Sequence, residues 1–422
     1  MAATKRKAKK PKPVVSLKAV EPPAGPAGPG CPVVGIGASA GGLAAFEAFF
    51  SGMPAEDTGM SFVLVQHLAP DHKSILAELI RRYTRMKVFE VTNGIEIKPN
   101  CAYIIPPNRN MALENGKLLL LEPDVTNGQR LAIDFFFRSL ALDQHERAMC
   151  VVLAGTGSDG TLGARAVRGE GGLVVAQDPG STDFNSMPRS VIGAGLADYV
   201  LPPAEMPGQL LAFAANSQER PPHAAVLPDT DGGESFKKVF GLLRTQTGHD
   251  FSQYKLNTIT RCVKRRMAVH QIGQLDEYFR YLEQSPADVD ALFRDVLIGV
   301  TSFFRDPAAF DVLQEQVVPR LCAAKSPGSI VRVWVPGCST GEEAYSLAIL
   351  LQEQLDAQKL NFKLQIFATD IDRQSIDRAR AGVYPASVAI DISPERLERF
   401  FVQESDGSAY RVCRSIRDSV IF

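Results

Sequence analysis

PVVGIGASAGG, Pro32 to Gly42, decides the fold: an apolar, β-branched run breaks at a serine and a glycine pair, and the helical pattern LAAFEAFFSGM (43–53) follows. That is the outline of a strand, a tight turn and a helix. The outline recurs downstream. SFVLVQ (61–66), CAYIIPP (101–107), CVVLAG (150–155), GGLVVAQ (171–177) and DYVLPP (198–203) are strand-like runs, separated by helical stretches such as SILAELIRRYTRM (74–86). Strands alternating with helices predict an α/β domain with a doubly wound parallel sheet over residues 31–215.

Outward from this domain the texture changes. Residues 1–30 hold Lys5, Arg6, Lys7, Lys9, Lys10 and Lys12 ahead of a Pro/Gly/Ala stretch, which reads as a disordered basic tail with no secretory core. NSQERPPHAAVLPDTDGGES (216–235) has the composition of a linker. Residues 236–324 carry helical spacing without strand signals and predict a small domain of about four helices. Alternation returns with SIVRVWVPG (329–337), EEAYSLAILLQEQL (342–355), LQIFATDID (364–372) and RQSIDRARAG (373–382), so residues 325–422 open a second α/β domain. It supplies only two clear parallel strands before the run SVIF (419–422). A doubly wound sheet needs more, so the sequence reads as the front part of a longer protein.

Composition bounds the function. The 422 residues suit two or three domains, and 45% hydrophobic with 22% charged residues excludes a collagenous or disordered chain. No apolar run approaches the roughly 18 residues of a membrane span. Lys+Arg 46 against Asp+Glu 47 leaves a net charge of -1, so no global field favours nucleic acid or an anionic membrane. Seven scattered cysteines without a CxxC argue against a disulfide framework or a zinc site and point to a reducing compartment.

The turn GIGASAGG matches the dinucleotide fingerprint GxGxxG/A, but the next strand ends at Gln66-His67 where that fold wants a ribose-binding acid. Strand ends on the carboxyl edge of a parallel sheet converge on one crevice. Ser39 at the first, His67 at the second and Asp159 in VVLAGTGSDG (151–160) would give a nucleophile, its base and an acid that orients the imidazole. Backbone N–H groups at Gly41-Gly42 would serve an oxyanion. The plainer reading keeps Ser39 as an N-cap, His67 as an edge residue and Asp159 as a turn former.

GIGASAGG, VLVQHLAPDH (63–72), AYIIPPNRNM (102–111), LAGTGSDGTLG (153–163) and AQDPGSTDFNSMPRSVIGAGLADYVLP (176–202) together resemble, in order, the catalytic domain of the chemotaxis receptor methylesterase. The resemblance implies a serine hydrolase that removes methyl esters from receptor glutamates and can deamidate glutamine, with Ser39 as nucleophile, His67 as base, Asp159 as orienting acid and no cofactor. Thr156 replaces the family's usual methionine near the oxyanion hole, a change that leaves a backbone donor in place. Residues 1–30 leave no room for the receiver domain that commonly controls the family, so control is expected from another partner or domain.

In VRVWVPGCSTGEEAYSLAI (331–349), Gly337-Cys-Ser339-Thr-Gly341 matches GxSxG, yet no histidine follows Ser339. A glycine-rich turn with Asp370 at the next strand end suits a cofactor instead, and Glu342-Glu343 at the helix start favour a positively charged ligand over a pyrophosphate. The glutamates also stabilise a helix N-terminus in their own right. KLNTITRCVKRRM (255–267) puts Arg261 and Arg265 on one helix face, by default a solvated one. These segments, with VTSFFRDPAAF (300–310) and the antiparallel-subdomain-like ERFFVQESDGSAYRVCRSIRDSVIF (398–422), resemble the chemotaxis receptor methyltransferase. The resemblance implies S-adenosylmethionine as cofactor, contacts from Thr301, Arg305, Glu342 and Asp370, and Arg265 and Arg266 on a helix that meets an acidic receptor.

The combined expectation is a bifunctional cytoplasmic signalling protein without nucleic-acid or metal chemistry, acting on a methyl-accepting chemoreceptor or similar sensory protein. Further signalling domains are expected in the same chain, and methyltransferase activity is expected of the full-length protein. The rival reading is a scaffold whose modules bind partners without turnover.

Overall fold

The computed structural model describes residues 31–66, 76–122, 131–218, 232–297, 299–323, 326, 328–405 and 407–422. The basic tail, His67 and most of the expected linker lie outside the described residues. In the front part the strands are β1 (Val33–Ala38), β2 (Ser61–Gln66), β3 (Lys87–Glu90), β4 (Ile95–Glu96), β5 (Cys101–Ile104), β6 (Asn110–Glu114), β7 (Lys117–Leu121), β8 (Met149–Val152), β9 (Leu173–Gln177) and β10 (Tyr199–Leu201). One sheet runs β10, β9, β8, β1, β2, β5, β3, with parallel pairing throughout. β4, β7 and β6 form a small antiparallel sheet.

β1 is buried on both faces, as a central parallel strand requires. Val34, Ile36 and Ala38 join a core with Phe46, Phe49 and Phe50 of helix Gly42–Ser51. The other face is crossed by helix Ala132–Gln144. A Cβ at Gly35 would lie 2.9 Å from Phe137, and one at Gly37 would lie 2.4 Å from Ile133. These glycines therefore admit a helix to the sheet, which is why the dinucleotide-like spacing carries no dinucleotide meaning here.

Helices Gly232–Thr247, Leu256–Val269, Leu275–Gln284 and Pro286–Leu297 enclose their own core around Val263, Tyr278 and Leu292. Helix Met206–Gln218 runs beyond residue 215 and helix Gly232–Thr247 begins before residue 236, so structured chain enters the expected linker from both sides. The back part has β11 (Ile330–Pro336), β12 (Lys363–Thr369), β13 (Val383–Pro385), β14 (Phe401–Gln403), β15 (Ala409–Val412) and β16 (Val420–Ile421). β11, β12 and β16 pair in parallel, while β13, β15 and β14 form the antiparallel subdomain. Helix Glu342–Ala357 contributes Ala344, Ala348 and Leu351 to the core that also takes Val331 and Ile366 of this sheet, whereas Trp334, Phe367 and Ile421 are exposed. Among the described residues no helix is long and apolar enough to cross a membrane.

The three parts share their cores and close on one another through charge. Ala268 and Val269 of the helical part enter the front core, and Leu162 of the front part enters the back core. Arg265 is 4% exposed and Arg266 is 7% exposed. Arg265 donates to Asp198 (2.6 Å), to Asp295 (2.7 Å) and to the Gly172 carbonyl (3.1 Å). Arg266 pairs with Asp288. The face expected to be solvated is therefore buried: Arg265 is neutralised between the helical and front parts, and Arg266 pairs chiefly within the helical part.

Candidate functional sites at two strand edges

β1 is the point where the large sheet reverses its order, with β2 on one side and β8 on the other. Crevices at such points are where ligands bind in open α/β sheets. Ser39 follows β1 directly. Its N–H donates to the Ala154 carbonyl beyond β8 (2.9 Å), and its own carbonyl accepts from the Gly42 N–H (2.9 Å). The turn requires glycine at position 41, where φ is 76° and a Cβ would lie 2.7 Å from the Phe184 ring. The Gly42 amide thus closes the turn, although it was expected to be open to an oxyanion. In the parallel register Ala38 pairs with Gln66, the residues that precede Ser39 and His67 in sequence.

Asp159, in the loop after β8, is 2% exposed. Its carboxylate accepts from the N–H groups of Ile133 (3.0 Å), Asp134 (2.8 Å) and Gly160 (2.9 Å). Ile133 and Asp134 lie in the first turn of helix Ala132–Gln144, whose N-terminal amides lack intrahelical partners, so a carboxylate from another loop caps them and is itself held fixed. Ser39 and Asp159 therefore follow neighbouring strands, β1 and β8, on the same carboxyl edge of the sheet.

Asp134, absent from the sequence expectations, lies behind Asp159 with no exposed surface. Its Oδ1 accepts from Gly163 N–H (2.6 Å). Burial first, then the Asp159 charge, pushes its pKa up to about 8. A carboxyl group raised in the folded state contributes stability that is complete below its unfolded pKa of about 4 and is lost as pH rises towards 8. Asparagine keeps the neutral form at all pH. Asp134→Asn should match the parent in urea unfolding at pH 4 and exceed it at pH 8; a gap that narrows with pH would show that Asp134 is ionised in the fold.

The second site lies where β11 and β12 end. Ser339 N–H donates to Asp370 Oδ2 (2.7 Å) and Asp372 N–H to Asp370 Oδ1 (2.8 Å), so Asp370 ties both strand-end turns together. Ser339, Phe304 and Asp306 all take left-handed backbone, an unusual conformation for side chains of these sizes and one that clusters at ligand sites. Phe303 is buried against Tyr384 and Phe401, and Phe304 N–H donates to Ser346, which anchors the FFRD turn. A cavity of about 870 Å³ opens beside these turns, lined by Thr301, Arg305, Ser339, Glu343, Asp370 and Arg378, among others.

Glu342 does not line that cavity. It is 2% exposed and accepts from the Thr340 hydroxyl (2.6 Å) and from Arg165 of the front part (3.1 Å). Glu343, about 100° further round the helix, is the residue of the pair that lines the cavity. Arg165 and Arg378 carried no motif signal.

Comparison with known proteins then gives the front and back parts their families. The CheB methylesterase model matches residues 34–210; the CheR methyltransferase all-alpha and SAM binding domain models match 234–297 and 299–422. The chain belongs to both families, as a methylesterase domain fused to methyltransferase domains. A *Rhodobacter capsulatus* uncharacterized 104.1 kDa protein in the hypE 3' region is 37% identical over 82% of this chain and 38% of its own length. A *Borreliella burgdorferi* chemotaxis protein methyltransferase is 28% identical over 45% of this chain and 68% of its own length. The crystal structure of the *Thermotoga maritima* CheB methylesterase catalytic domain is 34% identical, covers 43% of this chain and 97% of that one, and superposes with a TM-score of 0.40. The chain spans 38% to 53% of the length of the first curated relatives it matches.

Proposed function

We propose that this methylesterase–methyltransferase fusion turns over protein glutamate methyl esters in both directions, through an esterase module at 31–215 and a methyltransferase module at 236–422. The observation that supports the esterase half best is the placement of Ser39 and buried Asp159 after the two neighbouring strands β1 and β8 at the switch point of the sheet. In this reading Ser39 Oγ attacks the ester carbonyl, His67 accepts its proton, and Asp159 fixes the imidazole. Collapse expels methanol, which takes the proton from His67. Water, activated by the same base, then frees the glutamate carboxylate from Ser39. A glutamine side chain attacked by Ser39 in place of the ester would form the same acyl-enzyme as its amide nitrogen takes the proton from His67 and leaves as ammonia; hydrolysis then completes deamidation, and no cofactor takes part.

The cavity at the second site suits S-adenosylmethionine. Glu343 and Asp370 offer negative charge to a sulfonium, and open space beside Gly337 lets a ligand lie against the backbone. Thr301, Arg305, Glu343 and Asp370 would hold the cofactor, with Asp370 towards ribose hydroxyls. Bound there, it supplies an activated methyl group. The acceptor glutamate is already ionised at neutral pH, so the task of these residues is positioning and exclusion of water rather than proton removal. The substrate in this reading is a methyl-accepting chemoreceptor or a similar sensory protein.

Two measurements test the reading. Methylated chemoreceptor in vesicles should release methanol when the chain is added, and release no faster than without protein would overturn the esterase half. Asp370→Ala should weaken S-adenosylmethionine binding by about 1.5 to 3 kcal/mol, the usual worth of hydrogen bonds to a charged group. Unchanged affinity by calorimetry would remove Asp370 from the site.

A further inference from the structure

The turn that carries the methyltransferase motif is not self-sufficient. Glu342 is buried at the start of helix Glu342–Ala357, and its ion-pair partner among the described residues is Arg165, on helix Thr161–Gly169 of the esterase module. Both side chains are largely covered, Arg165 at 14% and Glu342 at 3% exposure. The other carboxylate oxygen of Glu342 accepts from Thr340, inside the Gly337–Gly341 turn, so the charge of Arg165 acts on that turn through one intermediate residue. Gly341 sits at φ 92°, and a Cβ there would meet Ala379 at 2.9 Å, which leaves the turn little freedom to find another arrangement.

A second tie holds the neighbouring strand end. Arg378, on helix Arg373–Ala381 after β12, donates to the carbonyls of Ala194 (2.8 Å) and Gly193 (3.1 Å). Those carbonyls close the C-terminus of esterase helix Ser186–Gly193, where unpaired acceptors and the negative end of the helix dipole attract a cation. Arg165 itself lines the 870 Å³ cavity, as do Gly169, Gly171, Gly195 and Leu196 of the esterase module.

We propose that the esterase module is a structural half of the methyltransferase cofactor site, with Arg165 as the positioning residue that holds the Gly337–Gly341 turn through Glu342. Cofactor affinity then depends on the docking of the two modules, and by linkage bound cofactor strengthens that docking. The device couples the opposing modules without shared catalytic groups. It rests on the reading of the cavity as an S-adenosylmethionine site.

The test uses the whole chain with Arg165→Ala and Arg165→Lys, whose folding is checked by circular dichroism. In Arg165→Ala, calorimetry should show S-adenosylmethionine affinity reduced at least tenfold, and rates on receptor vesicles should show a raised KM for the cofactor at nearly constant kcat. Arg165→Lys should recover part of the loss. Hydrogen exchange without cofactor should be faster at the amides of residues 338–341 in Arg165→Ala. Unchanged affinity in Arg165→Ala would overturn the inference. Failure of the parent chain to bind would overturn the cofactor reading, and exchange at 338–341 would then judge the positioning role alone: faster exchange supports it, and unchanged exchange overturns it. Should Arg165→Ala misfold, Glu342→Gln, which removes the charge that Arg165 neutralises, should give the same faster exchange, and parent-like exchange there would overturn the inference.

Discussion

Ser39→Ala should reduce methanol release from methylated chemoreceptor by about 10⁴-fold or more, the loss expected when a nucleophile is deleted from a triad that works as a unit. The fold should be almost untouched. The turn is held by the backbone, through Ser39 N–H to Ala154 and Gly42 N–H to the Ser39 carbonyl, and both bonds survive the substitution. Unfolding in urea should therefore shift by no more than about 0.5 kcal/mol, the usual range for sites away from core features. Asp159→Asn provides the contrast, because Asp159 caps helix Ala132–Gln144 as well as standing at the reaction edge. That variant should lose both activity and stability. Full methanol release by Ser39→Ala would refute the serine mechanism and leave the turn as ordinary helix capping.

Arg265→Met should destabilise the chain by about 3 to 5 kcal/mol, the cost of removing one partner from a buried ionic cluster. Burial opposes the Arg265 charge, but Asp198 and then Asp295 outweigh it and hold its pKa above the ordinary value. Asp295 shows the converse: burial works against its charge, and Arg265 followed by Arg168 brings its pKa below the usual carboxylate range. Methionine fills most of the volume yet leaves Asp295 with Arg168 alone and Asp198 with only the more distant Arg266, at 4.0 Å. A lowered carboxylate pKa contributes stability above the unfolded value, near 4, that is lost as pH falls through the folded value. The parent should therefore lose stability more steeply than Arg265→Met below pH 4. Urea unfolding at pH 7 and at pH 3 reads both effects. An unchanged midpoint at pH 7 would mean that Arg265 is solvated and would restore it to a docking surface.

These arginines show where local sequence misleads. KLNTITRCVKRRM reads as a basic amphipathic helix, and nothing within it says which charges face water. Their partners Asp198, Asp288 and Asp295 lie between 22 and 67 residues away from them in sequence, outside any helical spacing. Glu342 fails for a different reason. In GEE both acids are chemically suited to a cofactor, and the choice turns on the exact start of the helix and on an arginine 177 residues earlier in the chain. That Ser39 and Asp159 share one edge of the sheet was legible, because each follows a strand on the carboxyl side, which parallel sheets turn into a common edge whatever the intervening chain.

The sequence by itself determined the alternation of strands and helices in the two α/β parts, the helical stretch between them and the two families, since hydrophobic periodicity and glycine turns act over a few residues and leave a local trace; the small antiparallel sheet of β4, β7 and β6 left none. Only the tertiary structure decided which of two adjacent glutamates faces the cavity, that Arg265 and Arg266 are buried, and that Arg165 of one module neutralises Glu342 of the other. The physical reason is that burial and charge pairing are set by what a distant segment brings into contact, and a Coulomb interaction over about 3 Å between largely covered groups has no counterpart in local residue spacing.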